Sequence, residues 1–428
     1  MLPMIFLWLV LLLLGMSVAF TLGIAAMIQL WSDGTPLAVM AQRMTKSISD
    51  SFPLLAVPFF IFAGNLMNAG GITGRVFSFA RSLVGHFRGG LAHVNVVASI
   101  IFSGMSGSAL ADAGGLGNME IRAMRKAGYE DGFAGAVTAS SSVIGPLIPP
   151  SIPMVIYGVL ADASIGRMFL GGVVPGLLTA GALMVLIGVV AKRRDYPRDD
   201  VPTLAYVGRS FIRALLPLLT PAIIIAGIVG GLFSPTEAAV GASAYAILLS
   251  MVIYREIGLK ELYEVILDTI RTTTMVCFIV ATASVFAWVL AAHEAPKNLS
   301  IWLTSLTENP LLLLLIINLC LLIAGFFVEG LAIMILAVPA LAPTVAAVGI
   351  DPVHFGVVFI FNLMIGLMTP PIGIGLFVIS GVSGIKLGVL TRAIVPFLLP
   401  LVIVLLLLIF FPPLVTFLPD LLLGKAGP

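Results

Sequence analysis

The chain has 428 residues, 60% of them hydrophobic and only 10% charged, with a net charge of +2 and a mean hydropathy of +1.16. A soluble domain carries about a quarter charged residues. This composition therefore excludes a water-soluble enzyme, a nucleic-acid binder and a disordered scaffold, and places the chain in a lipid bilayer. Cys277 and Cys320 both sit in apolar runs, which argues against a disulfide framework or a metal cluster.

About 20 apolar residues cross a bilayer. Charge-free windows over 1–32, 51–74, 89–111, 132–161, 168–191, 214–236, 238–254, 272–293, 309–328, 330–350, 352–385 and 393–419 mark the candidate membrane segments. The first lacks the basic segment and cleavage site of a secretory signal and is too long for one, so it is predicted as a retained helix. Segments 36–50 and 73–90 are predicted as interfacial arms. The 44 glycines and 27 prolines predict broken helices and re-entrant segments, which membranes tolerate only where they are buried or line a cavity. Segment 89–121 is interrupted at Gly104-Met105-Ser106-Gly107-Ser108, and segment 309–347 at Gly325-Phe326-Phe327-Val328-Glu329-Gly330. Each is predicted to be a helical hairpin that enters and leaves on one face. Segments 132–161 and 352–385 each carry a central Gly-x-x-x-Pro-Pro, from Gly145 to Pro149-Pro150 and from Gly366 to Pro370-Pro371. Proline removes a backbone donor and clashes with the preceding turn, so both helices should unwind there.

A shift of 221 residues sets Gly104 on Gly325, Gly145 on Gly366, and Pro149-Pro150 on Pro370-Pro371. Residues 1–191 and 236–428 then both read span, span, hairpin, broken span, span. Residues 192–235, a basic loop followed by one connecting span, join them. A single connecting span gives the two copies opposite topology. The predicted fold is thus an all-α polytopic membrane protein built from two inverted repeats, the architecture of secondary transporters. Placing the amino terminus in the cytoplasm puts 17 of the 22 Lys and Arg residues inside and the carboxyl terminus outside, as the positive-inside rule favours. Arg43 and Lys46 run against that assignment.

Unwound backbone offers carbonyl oxygens which, with nearby hydroxyls, form a cage for a hard monovalent cation such as Na⁺. Half-helix N-termini suit an anionic substrate. The candidate Na⁺ ligands are Ser103, Val143, Gly145 and Pro149 in the first half, and Gly325, Gly366, Met368 and Thr369 in the second. The candidate substrate contacts are Ser106, Ser108, Asp112 and Glu329. Asp112 and Glu329 are read as the only acids inside the hairpins, where a charge costs roughly 2.5–3.5 kcal/mol. They are expected to accept hydrogen bonds from substrate hydroxyls, orient a tip or support a cation, unless the tips simply reach water. The serines, with Thr138, Ser140, Ser141 and Ser142, have an alternative use in bonding back to helical carbonyls. Arg167 is read as an interfacial snorkelling residue, Glu237 as a structural acid at a helix start, and Asn65, Asn95, Asn318 and Asn362 as interhelical hydrogen-bond partners.

Two enzyme signatures are incomplete. Gly104-Met105-Ser106-Gly107 has the Gly-x-Ser-Gly of an intramembrane serine protease, but none of His86, His93, His293 and His354 sits in an evident packing motif. His293-Glu294 begins a zinc-protease motif whose second histidine position holds Lys297. A channel would need a continuous polar stripe, which the chain does not show.

The stretch from Gly132 to Gly158 (Gly-Phe-Ala-Gly-Ala-Val-Thr-Ala-Ser-Ser-Ser-Val-Ile-Gly-Pro-Leu-Ile-Pro-Pro-Ser-Ile-Pro-Met-Val-Ile-Tyr-Gly) and Ser164-Ile165-Gly166-Arg167-Met168-Phe169 resemble the large membrane subunit of tripartite ATP-independent periplasmic (TRAP) transporters. Ser234-Pro235-Thr236-Glu237-Ala238-Ala239 and Leu367-Met368-Thr369-Pro370-Pro371-Ile372-Gly373 look like later motifs of that family, so the resemblance covers essentially the whole chain. It implies an elevator-type transporter with no cofactor beyond Na⁺ as coupling ion. It also implies two partners, a small four-helix membrane subunit on a separate chain and a soluble periplasmic substrate-binding protein. The hairpin run from Ser106 to Gly117, with its Ala-Leu-Ala-Asp, looks more like the sialic-acid members than the dicarboxylate members.

Overall fold

The computed structural model describes residues 2–307, 309–371 and 373–425, and among these the chain is helical, without strands. Seven helices among the described residues are long and apolar enough to cross a membrane: Phe52–Ala69, Ile165–Arg193, Leu204–Val229, Pro235–Ile253, Leu259–Ala292, Gly330–Ala347 and Leu387–Phe410. Shorter apolar helices occupy the segments predicted to be interrupted.

The first window departs from expectation. Residues 1–32 hold two helices, Leu2–Leu13 and Val18–Ser32, rather than one. Gly15 turns the chain between them at φ +83°, a left-handed conformation that costs glycine nothing for want of a Cβ. Segment 36–50 folds as helix Ala38–Ser49, in which no residue is buried, and segment 73–90 largely as helix Ile72–Val84. The second of these is tied down at both ends. Arg75 donates to Glu256 at 2.6 Å, and Arg81 makes two bonds of 2.7 and 2.9 Å to Asp199 in the basic loop.

The first hairpin runs down Gly90–Ser106, turns at Gly107 and Ser108, and returns through 109–126, where Asp112–Leu116 forms a wide π-turn. The second runs through Pro310–Gly325 and returns through Gly330–Ala347. The broken helices are Asp131–Ser142 with Ile152–Leu160, and Pro352–Leu367 with Ile374–Ser383; Ile372 lies outside the described residues. Both Pro-Pro bonds are cis. Helix starts Ala109 and Asp131 recur 221 residues later at Gly330 and Pro352, and Ile152 and Ile165 recur within one residue at Ile374 and Leu387.

The two halves interlock. Ile374–Ser383 packs on the return arm of the first hairpin and on Asp131–Ser142, while Ile152–Leu160 packs on Gly330–Ala347 and Pro352–Leu367. Small residues permit this, since close helix packing in lipid depends on backbones approaching one another. A Cβ at Gly356 would lie 2.3 Å from the ring of Tyr157, whose hydroxyl donates to the Pro352 carbonyl at 2.8 Å. Arg125 crosses in the same way, donating to the Ser383 carbonyl at 2.7 Å.

The amides behave as predicted. Asn65 donates to Thr269 at 3.1 Å, Asn95 donates to Thr138 at 2.8 Å and accepts from Ser141 at 2.6 Å, and Asn362 donates to the Asn318 side chain at 2.9 Å. Glu237 closes a capping box with Ser234 at the start of its helix. Arg167 does not snorkel. It is buried and bonds Asp420 and the Gly424 carbonyl, anchoring the C-terminal helix Pro413–Leu423. A partner within reach removes the need to extend toward water.

Candidate functional site

In each half, the hairpin break lies against the break of that half's broken helix, through the unwound segment in the first half and through the last helical turn before it in the second. In the first, Gly145 faces the tip turn: a Cβ there would lie 3.3 Å from both the Ser108 carbonyl carbon and the Ala109 nitrogen. In the second the approach is closer. A Cβ at Gly366 would lie 2.9 Å from the Gly325 Cα and 3.0 Å from its carbonyl carbon, whereas a Cβ at Gly325 would lie 3.3 Å from the Gly366 Cα, so glycine is required at Gly366 and the fit is tight at Gly325. The structure thus brings Gly325 and Gly366 together, and Gly145 with Ser108. Val143 and Met368 are the buried residues that end the first halves of their broken helices, and Pro149 is buried within the first unwound turn. Met368 also fills the space beside Gly375, where a Cβ would lie 2.3 Å from its sulfur.

Several hydroxyls take the local option. Ser103 bonds the Ser99 carbonyl one turn back, and Thr369 bonds the Ile365 carbonyl at 2.6 Å. Thr138, Ser140, Ser141 and Ser142 likewise bond carbonyls three or four residues behind them. Hydroxyl oxygens in this mode keep lone pairs free for a cation. Ser108 and Glu329 have the same job on the two hairpins: each caps a return helix by accepting a backbone N–H, from Ala111 at 3.4 Å and from Ala332 at 3.2 Å.

A second set of oxygens is buried and unsatisfied. The Asp112 carboxylate lies beside the Ser99 hydroxyl, and neither these groups nor the Ser106 hydroxyl makes a close hydrogen bond among the described residues. The two carboxylate oxygens of Glu120, which is 1% exposed, are in the same state. Buried polar groups are nearly always paired, so these mark the face of the hairpin where a ligand, ion or water would find partners. Glu120 corrects the reading of Asp112 and Glu329 as the only hairpin acids. It hides in the amphipathic helix Gly117–Lys126, whose charges suggest a solvated flank. Ser99 was legible in the spacing. Asn95, Ser99, Ser103 and Ser106 recur at intervals of four, four and three residues, which puts them on one stripe of Gly90–Ser106. That stripe ends against another helix: a Cβ at Gly64 in Phe52–Ala69 would lie 3.1 Å from the Ser106 Cα. Two clefts open elsewhere, one of about 560 Å³ between Asp50–Pro53 and the 158–166 turn, the other of about 810 Å³ at the start of Leu387–Phe410.

The family model described as "Tripartite ATP-independent periplasmic transporter, DctM component" matches residues 5–414. The sialic acid TRAP transporter large permease protein SiaM of Vibrio cholerae is 50% identical over 98% of each chain. The sialic acid TRAP transporter permease protein SiaT of Haemophilus influenzae is 43% identical over 97% of this chain and 68% of its own length. The C4-dicarboxylate TRAP transporter large permease protein DctM of Pseudomonas aeruginosa is 40% identical over 87% of each chain. Among solved structures, the YdaH transporter of Alcanivorax borkumensis superposes with a TM-score of 0.66 over 88% of each chain at 15% identity, a likeness of fold.

Proposed function

The chain belongs to the DctM component family of the tripartite ATP-independent periplasmic transporters, and from that premise we propose that it is the large inner-membrane permease of a Na⁺-coupled importer of sialic acid. It works with a small membrane subunit and a periplasmic substrate-binding protein, with its amino terminus in the cytoplasm and its carboxyl terminus in the periplasm. The observation that carries the reading is the paired arrangement of breaks, Ser108 and Ala109 against Gly145 and Gly325 against Gly366. The unwound carbonyls around Val143, Gly145, Pro149, Gly325, Gly366 and Met368, with the Ser103 and Thr369 hydroxyls, bind Na⁺ in two copies. The unsatisfied oxygens of Ser106 and Asp112, with the caps Ser108 and Glu329, face substrate. Acids there suit a polyhydroxylated ligand better than a plain dicarboxylate, because a carboxylate accepts hydrogen bonds from hydroxyls but repels an anion. The sialic acid relatives support the same choice.

The two hairpins and broken helices move as one elevator domain against a scaffold of the remaining spans, which braces on the small subunit. The inverted relation of the halves supplies the outward- and inward-facing states. Each elementary charge carried inward through 100 mV adds about 2.3 kcal/mol, so two Na⁺ with a monoanion draw on voltage as well as on the Na⁺ gradient. Uptake of labelled sialic acid into proteoliposomes holding this chain and its small subunit tests the reading. Uptake should require both an inward Na⁺ gradient and the binding protein. Transport of a dicarboxylate instead would overturn the substrate, and indifference to Na⁺ would overturn the coupling.

A further inference from the structure

The cleft of about 810 Å³ opens where three helix ends meet: the start of Asp131–Ser142, the end of Ile165–Arg193 and the start of Leu387–Phe410. All three ends lie on the face that the basic-residue count assigns to the cytoplasm. The acids in its wall are already engaged. Arg194 pairs with Glu130, and Arg125 holds Asp131 through bonds of 2.7 and 3.2 Å. Lys386 and Arg392 are different. Both line the cleft, both are exposed, and neither makes an ion pair or side-chain hydrogen bond among the described residues. The cleft therefore presents two uncompensated cations.

Behind these cations the wall is apolar. Val389, Arg392, Pro396, Leu399, Ile403 and Leu406 follow one another at intervals of three or four residues, so they share one face of Leu387–Phe410. All six are exposed; Val389, Arg392 and Pro396 line the cleft, and Leu399, Ile403 and Leu406 continue the stripe beyond it. Val190, at the end of Ile165–Arg193, adds an apolar side chain to the cleft wall. A soluble anion has no use for such a stripe, whereas an amphiphile uses both parts. Basic pockets between membrane helices on the cytoplasmic side are suited to lipid head groups.

We propose that this cleft binds an anionic phospholipid of the inner leaflet, its phosphate held between Lys386 and Arg392 and its acyl chains laid along the stripe from Val389 to Leu406. The site needs the membrane reading of the chain but neither its substrate nor its coupling ion. It therefore stands or falls separately from the transport assignment.

Native mass spectrometry of the chain with its small subunit in detergent, titrated with phosphatidylglycerol or phosphatidylcholine, tests this. Phosphatidylglycerol should stay bound where phosphatidylcholine does not. Lys386→Gln and Arg392→Gln should each raise the half-saturating concentration roughly fivefold, while Lys46→Gln, on an exposed arm, should leave it alone. A Cβ at Gly388 meets nothing within 4 Å, so Gly388→Leu fills the cleft without touching its charges and should displace the lipid. Gel filtration confirms that each variant still assembles, and if the double variant K386Q/R392Q does not, the single variants carry the test. Equal retention of phosphatidylcholine, unchanged binding in K386Q/R392Q or in Gly388→Leu, or displacement by excess inorganic phosphate that itself stays bound would each overturn the proposal. The last of these would mark a soluble-anion site.

Discussion

At the break of the first hairpin the capping residue is Ser108, and 221 residues later, at the break of the second, it is Glu329. Each accepts the N–H three positions ahead, from Ala111 and from Ala332. The backbones on either side match helix start for helix start, but the side chains do not. The stripe Asn95, Ser99, Ser103 and Ser106 of the first hairpin corresponds to Ile316, Cys320, Ala324 and Phe327 of the second, and Asp112 and Glu120 correspond to Ile333 and Leu341. Where the halves agree, the shared feature is a glycine at or beside each helix break, where the proposed reading puts the cation. Where they disagree, only the first half offers buried, unpartnered carboxylates, and those can accept hydrogen bonds from a ligand. On the proposed reading, the duplicated part of the site would serve the ion and the unduplicated part the substrate.

The sharpest way to break this comparison is to remove the shared element. Gly366→Leu should reduce Na⁺-driven uptake by at least about 100-fold, because its Cβ would meet backbone atoms of Gly325 at 2.9–3.0 Å and backbone has nowhere to retreat; overpacking of this kind costs about 1–3 kcal/mol. Gly145→Ala should be milder, roughly tenfold, since its nearest contacts are 3.1–3.3 Å. Initial rates of uptake against Na⁺ concentration read both. Equal damage at the two positions would mean that the halves are closer to equivalent than their packing implies.

The unshared element is tested by exchange across the repeat. Asp112→Asn should raise the KM for substrate about tenfold, the worth of one hydrogen bond to a charged group, and leave the Na⁺ half-saturation unchanged. Ile333→Asn, at the corresponding place, should leave KM unchanged and instead cost about 1–3 kcal/mol of stability, because it buries an amide without partners. A rise in KM from Ile333→Asn would show that substrate touches both hairpins through this position.

What the sequence made legible follows the same division. The breaks at Gly104–Ser108, Gly325–Gly330 and the two Pro-Pro motifs were readable because glycine and proline act on the backbone locally. The repeat was readable because those marks recur at one spacing. The partners of individual side chains were not. Arg167 was expected to face the interface, yet it is anchored by Asp420, 253 residues away, and no local pattern encodes that pairing. Glu120 was hidden by an amphipathic helix that the interlock of the two halves buries. The first window read as one helix because hydropathy sums over Gly15 without registering its φ.

Between the shared and unshared elements stand the caps, and the smallest predicted effect is there. Ser108→Ala should cost about 1 kcal/mol of stability, as loss of an N-cap does, seen as a modest fall in the thermal midpoint. Glu329→Ala should cost the same if capping were all it did. Serine is itself a good N-cap, so Glu329→Ser keeps the bond to the Ala332 N–H while removing the charge. If Glu329 only caps, that variant should transport like the parent protein. A KM increase of several-fold, with the thermal midpoint preserved, would show that its carboxylate also meets substrate. That would give the second hairpin a substrate contact at the one aligned hairpin position where the repeat places a polar residue on both sides.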